Sequence, residues 1–66
     1  MYEKLRETRK REGIRVRAIA DALGLKTVPA YFKKETGMVK ITVEEALILA
    51  QLFNTTVEEL FPRISV

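Results

Sequence analysis

The chain contains no cysteine and no histidine. Disulfides and thiolate- or imidazole-bound metal are therefore excluded as staples, and the commonest nucleophile and general base of enzymes are missing with them. No glycine-rich loop is present to hold a phosphate. The paired acids Glu44 with Glu45 and Glu58 with Glu59 are adjacent on helical segments, so they diverge by roughly 100° instead of converging on a substrate or a metal. Neither an enzyme nor a cofactor, metal or small-molecule ligand is expected. No stretch approaches the roughly 18 apolar residues of a membrane span. The charged start MYEKLRETRKRE lacks the apolar core of a signal peptide, which points to a cytoplasmic protein with no membrane partner.

What is present fits one domain. A chain of 66 residues buries only roughly 60% of the surface its unfolded form exposes, so stability has to come from apolar packing, good helix ends or a partner chain. The hydrophobic content of 47% makes a packed core plausible. No repeat, low-complexity tract or linker divides the sequence, and it reads as a single unit over 1–66 with a core about 2–61 and a tail 62–66. Charge is unevenly placed. Through Lys40 there are 11 Lys/Arg and 5 Asp/Glu, a balance of 11 − 5 = +6, while the remainder sets Arg63 against Glu44, Glu45, Glu58 and Glu59, 1 − 4 = −3. A basic first part and an acidic second part suggest one face for a polyanion and another kept away from it.

Helix punctuation is dense. Gly13, Gly24 and Gly37 each follow a helix-compatible segment and suit a left-handed residue after a helix end. Thr42 with Glu45, and Thr56 with Glu59, have the spacing of capping boxes. Thr27 can cap a further helix with Pro29 in its first turn, where a missing amide hydrogen costs little, and Pro62 closes the last helix. These signals predict five helices: about Tyr2 to Glu12, Val16 to Leu23, Val28 to Thr36, Val43 to Phe53 and Val57 to Phe61. Steps of three and four place Val16, Ile19, Ala20 and Leu23 on one apolar stripe, and Val43, Ala46, Leu47, Ala50 and Phe53 on another; both are expected in the core. The fold class is all-α.

The segment Val16 to Gly37 carries the functional signal. Two short helices flank the turn Gly24, Leu25, Lys26. In a helix-turn-helix the two helices cross closely, so a small side chain is needed four residues before the turn glycine, a spacing met by Ala20-x-x-x-Gly24. The pair is common by itself. It gains weight from the five-helix order and from the segment ITVEEALILAQLFNTTVEELF.

With these features the sequence closely resembles the XRE family of helix-turn-helix regulators, to which Cro and the lambda-type phage repressors belong. The resemblance runs from Leu5 to Phe61. It is carried by Leu5 with Arg9 and Gly13-Ile14, by Ile19-Ala20-x-x-Leu23-Gly24, by Glu35-x-Gly37, and by Ala46, Leu49-Ala50, Phe53 and Val57-Glu58-Glu59-Leu60-Phe61. The form AYFKKETG is similar to a subgroup common in phages and mobile elements of Gram-positive bacteria. The resemblance implies a five-helix, lambda-repressor-like domain whose third helix reads double-stranded DNA in the major groove, and hence a transcriptional regulator, a repressor.

Residue by residue, Thr27 matches the family's cap of the recognition helix, and Val28, Pro29, Phe32 and Lys33 match positions that face the groove. Val28 and Pro29 depart from the polar residues usual there and cannot donate a side-chain hydrogen bond to a base edge, and Val16 replaces a frequent Gln. Apolar contact with thymine methyls, a Lys33 contact to guanine and readout of DNA shape remain available. Arg15, Arg17, Lys26, Lys34 and Lys40 are candidates for phosphate contact, which positions without specifying sequence. The resemblance makes Arg9 and Glu35 a partly buried ion pair between the first and third helices. One extra residue separates Gly24 from Glu35 relative to the commonest family spacing, so two rotations of the third helix are open. The preferred one turns Val28, Tyr31 and Glu35 inward and Pro29, Phe32 and Lys33 outward; the other buries Phe32 and sends the Tyr31 hydroxyl to a phosphate.

The competing function is a protein-interaction module, an antirepressor or adaptor that keeps the fold without DNA. The basic first part weighs against it. Ile48 and Leu52, where the family often has polar residues, together with Ile64 and Val66, form a surplus of apolar side chains that suggests a homodimer through the last two helices and the tail; the alternative places Leu52 in the core with the tail folded back over it.

Overall fold

The computed structural model describes residues 2–62; Ile64 and Val66, expected in a dimer interface, lie outside the described residues. Over the described residues the chain forms α1 (Glu3–Glu12), α2 (Val16–Ala22), α3 (Val28–Glu35), α4 (Val43–Leu52) and α5 (Val57–Leu60), with no strand. All five expected helices are present. The last four end one residue earlier than expected, because Leu23, Thr36, Phe53 and Phe61 act as the closing residue after each helix. Tyr2 stands before α1, since its amide is drawn away to the Glu35 carbonyl at 3.0 Å.

Helix ends are built from hydrogen bonds the sequence announces, with two departures. Thr42 forms a complete capping box: its hydroxyl accepts from the Glu45 amide at 3.1 Å, and the Glu45 carboxylate accepts from the Thr42 amide at 2.9 Å. At α5 only half of the expected box exists. Thr56 accepts from the Glu59 amide at 3.2 Å, but the Glu59 carboxylate takes the Thr55 hydroxyl at 3.1 Å instead of the Thr56 amide. Gly24 closes α2 at φ +76, and the following Leu25 amide reaches back to the Ala20 carbonyl at 2.8 Å. A Cβ on Gly24 would meet nothing within 4 Å, so glycine answers the left-handed backbone there and not a crowded one. Asn54, at φ 55, closes α4 in the same way, with the Thr55 amide on the Ala50 carbonyl at 2.8 Å. Asn tolerates that conformation better than other side chains.

The core gathers Leu5 from α1, Ile19 and Ala20 from α2, Tyr31 from α3, Ala46, Leu49 and Ala50 from α4, then Phe53, Leu60 and Phe61. Ala20 is fully buried, as the close crossing of α2 and α3 requires. Tyr2 and Phe61 meet edge to face at 5.2 Å, joining the two ends of the described chain.

The stripe expected on α4 needs correction. Val43 and Leu47 are 78% and 54% exposed. Leu49 completes the inward stripe with Ala46, Ala50 and Phe53, and with about 100° between successive residues the rotation that buries those four swings Leu47 past the edge. Val43, at the first residue of the helix, lies where the stripe runs out into solvent. Of the two places open to Leu52, an interface or the core, the structure has it half-buried against the core.

The complete box at α4 makes Thr42 the most consequential cap. Thr42→Ala is expected to cost about 1 kcal/mol, lowering the thermal midpoint by roughly 4–8 °C for a domain this size, and Thr56→Ala less. Calorimetry of the two variants beside the parent checks the order; equal effects would contradict the half-box at α5.

Candidate nucleic-acid interface

The two middle helices meet at the turn Gly24, Leu25, Lys26, with α3 started by Thr27, whose hydroxyl accepts the Ala30 amide at 3.2 Å. Pro29 falls in the first turn, where no intrahelical partner awaits its missing amide hydrogen. Along α3 the buried side chains are Tyr31, Lys34 and Glu35, while Pro29, Phe32 and Lys33 are exposed. Steps of three and four put Pro29, Phe32 and Lys33 on one face, and Thr36 extends it. At 1.5 Å per residue α3 is about 12 Å long, enough to lie across a major groove of about that width.

Of the two rotations open from the sequence, the structure adopts the one with Tyr31 inward, at 0% exposure, and leaves Phe32 37% exposed. Val28, at the first helical residue, is half-buried, on the flank between the two faces. The rotation is held by charge as much as by packing. Arg9 Nε donates to Glu35 Oε2 at 2.7 Å and Arg9 Nη2 to Glu35 Oε1 at 3.2 Å, the ion pair implied by the family resemblance. Tyr31 adds its hydroxyl to Glu35 Oε2 at 2.8 Å. Burial, and then the bond to Glu35, push the Tyr31 phenol well above its ordinary value; the bond to Glu35 holds the Arg9 guanidinium even more firmly protonated. The same guanidinium lies over the Phe32 ring, 5.3 Å from its centre, and the Tyr31 ring approaches Phe32 edgewise at 5.7 Å.

Lys34 is not available to a phosphate. It is buried, donating to the Lys40 carbonyl at 3.0 Å and pairing with Glu45 Oε1 at 3.0 Å. The cause lies in the α3 register, since Lys34 is three residues from Tyr31 and shares its inward face; that spacing was a readable signal. Burial alone would raise the Glu45 carboxyl, but the Thr42 amide and the Lys34 ammonium outweigh it and hold the group below its ordinary value.

The other candidate cations are exposed. Arg15 precedes α2, Arg17 lies in its first turn 3.8 Å from the Asp21 carboxylate, Lys26 sits in the turn, Lys33 on the outer face of α3, and Lys40 on the segment leading to α4. Thr36, not among the residues expected at the site, lies seven residues from Pro29 and so on its face; its hydroxyl donates back to the Phe32 and Lys33 carbonyls at 3.0 and 3.2 Å.

A helix-turn-helix family model matches residues 5–60. No curated protein and no solved structure matches the chain. Among the described residues no helix is long and apolar enough to cross a membrane.

The two ion pairs respond differently to perturbation. Glu35→Gln leaves Arg9 mostly buried without its counter-charge and is expected to destabilise by about 3 kcal/mol, read as a lower urea midpoint. Glu45 has a lowered folded pKa, so its contribution is present above the ordinary carboxylate value of about 4.3 and is lost as pH falls through the folded value. Urea titrations between about pH 5 and pH 3 should show the parent losing stability more steeply than Glu45→Gln; parallel curves would remove Glu45 from the acid response.

Proposed function

The chain belongs to the XRE family of helix-turn-helix DNA-binding domains, a family of binding domains and not of enzymes, and on that premise we propose that it is a sequence-specific transcriptional regulator. It acts as a repressor of the phage or mobile-element type, occluding a promoter with α3 seated in the major groove. The observation that carries this reading is the outward face of α3, where Pro29, Phe32 and Lys33 stand clear of the core while Arg9 and Glu35 fix the helix from behind. Arg15, Arg17, Lys26 and Lys40 contact phosphates and set the register, and Lys33 donates to a guanine edge.

The regulator works as a homodimer, because one small domain with so few base-reading side chains discriminates poorly and a two-fold pair repeats every contact on a second half-site. An apolar groove of about 630 Å³ between α4 and α5, lined by Val43, Leu47, Ile48 and Val57 among others, supports contact through this end of the molecule. Val43 and Leu47 are its most exposed apolar residues, and Leu52 is not part of its lining. The two half-sites then lie about one helical turn, roughly 34 Å, apart.

Selection of bound duplexes from a random pool, followed by mobility shifts on the selected site, tests the proposal. Affinity should fall with salt at a slope of roughly −0.9 per phosphate contact in log K against log salt. Lys33→Ala should relax preference at one base position per half-site, whereas Lys40→Ala weakens all sequences about equally. Leu47→Asp should leave a monomer in sedimentation and weaken the full site more than the half-site. Absence of duplex binding at low salt would replace this reading with that of a protein-interaction module.

A further inference from the structure

We propose that Phe32 is a fixed reader of thymine methyl groups, held in place by Arg9 as a positioning residue; the proposal rests on the major-groove reading above. The outer face of α3 is poor in hydrogen-bonding groups. Pro29 has none, the Thr36 hydroxyl is directed to carbonyls of its own helix, and Lys33 offers a single flexible ammonium. Phe32 is the largest apolar group on that face, and 37% of it stays outside a core that Tyr31 already fills. The feature of a major-groove edge that an apolar ring can distinguish is the C5 methyl of thymine.

An exposed phenylalanine free to change rotamer would read that methyl poorly, because ordering the ring on binding costs entropy. Here the ring is restrained beforehand. The Arg9 guanidinium covers it at 5.3 Å, and the Tyr31 ring closes one edge at 5.7 Å. Both restraints are themselves fixed by the Glu35 carboxylate, through the two Arg9 bonds and the Tyr31 hydroxyl. Arg9 therefore acts on DNA through Phe32 without touching it. The ring is presented on the same face as Lys33, so a thymine lies next to the base pair that Lys33 contacts.

The selected duplex provides the probe. Each thymine is replaced in turn by uracil, which deletes the methyl and leaves the pairing edge intact. The parent protein is expected to lose about fourfold in affinity at one thymine per half-site, the equivalent of roughly one buried methylene. Phe32→Ala, its fold checked by circular dichroism, should bind the thymine and uracil duplexes equally. Phe32→Leu should restore part of the difference. Arg9→Lys keeps the positive charge but not the planar cover, and should lower the thymine-to-uracil ratio in protein that remains folded. Equal binding of thymine and uracil at every position by the parent, or an undiminished ratio in Phe32→Ala, overturns the proposal while leaving DNA binding intact. Failure to select any duplex overturns the DNA reading itself.

Discussion

At the closing turn of α3, the carboxylate of Glu35 accepts three hydrogen bonds, two from Arg9 and one from Tyr31, while its carbonyl accepts the amide of Tyr2. An eight-residue helix has little helical stability of its own, so its rotation has to be imposed from outside. Successive residues differ by about 100°, and a slip of one would exchange Tyr31 for Phe32 and bring Lys34 to the surface. The Glu35 junction opposes that slip chemically. Turning Tyr31 outward would leave a 3%-exposed carboxylate short of a donor, at a cost of about 1–3 kcal/mol or more for a charged group. A buried ion pair contributes little net stability over a packed apolar pair. Its value here is that only one rotation satisfies it.

A second tie works on the other side of the same helix. Lys34 reaches the Lys40 carbonyl and the Glu45 carboxylate, and Glu45 is also the acid of the α4 capping box. One carboxylate thus starts α4 and anchors α3 to it. The intervening turn is bracketed by these bonds and by the Val39 amide on the Lys33 carbonyl at 3.0 Å. Through Glu35 and Glu45, α3 is held against α1 and α4 by charge, and against α2 by apolar packing around Ala20.

The parts of this arrangement legible in the sequence were those written in local chemistry. Glycines at left-handed positions, hydroxyl caps and three- and four-residue spacing placed all five helices, and the family resemblance supplied the Arg9 and Glu35 pair. What was not legible depended on how helices rotate against one another. Val43 and Leu47 match the period of a core stripe, yet Leu49 matches it as well, and only the packed α4 selects between the phases. The charge of Lys34 suggests a surface cation, but the register that turns Tyr31 inward carries Lys34 with it. Asn54 gave no warning beyond its tolerance for the left-handed region, and Glu59 chose the Thr55 hydroxyl over a backbone amide one residue on, a competition between near-equivalent donors that spacing rules do not resolve.

Internal pairing also settles how much charge remains for a polyanion. Through Lys40, removing Arg9 and Lys34 from the cations and Glu35 from the acids leaves (11 − 2) − (5 − 1) = +5, against +6 before folding. The fold therefore keeps most of its basic side: the Arg9 and Glu35 pair is neutral within it, and the one unit lost is Lys34, whose partner Glu45 comes from the acidic second part. Affinity of a proposed complex would rest on these exposed cations and vary with salt through counterion release. Discrimination would rest on the Lys33 contact to guanine and on an apolar ring that carries no charge, and burial of a methyl against that ring releases no counterions. The phosphate contacts and the methyl contact are supplied by different residues on one small surface, and ionic strength acts directly on the charged contacts, Lys33 included, and not on the methyl.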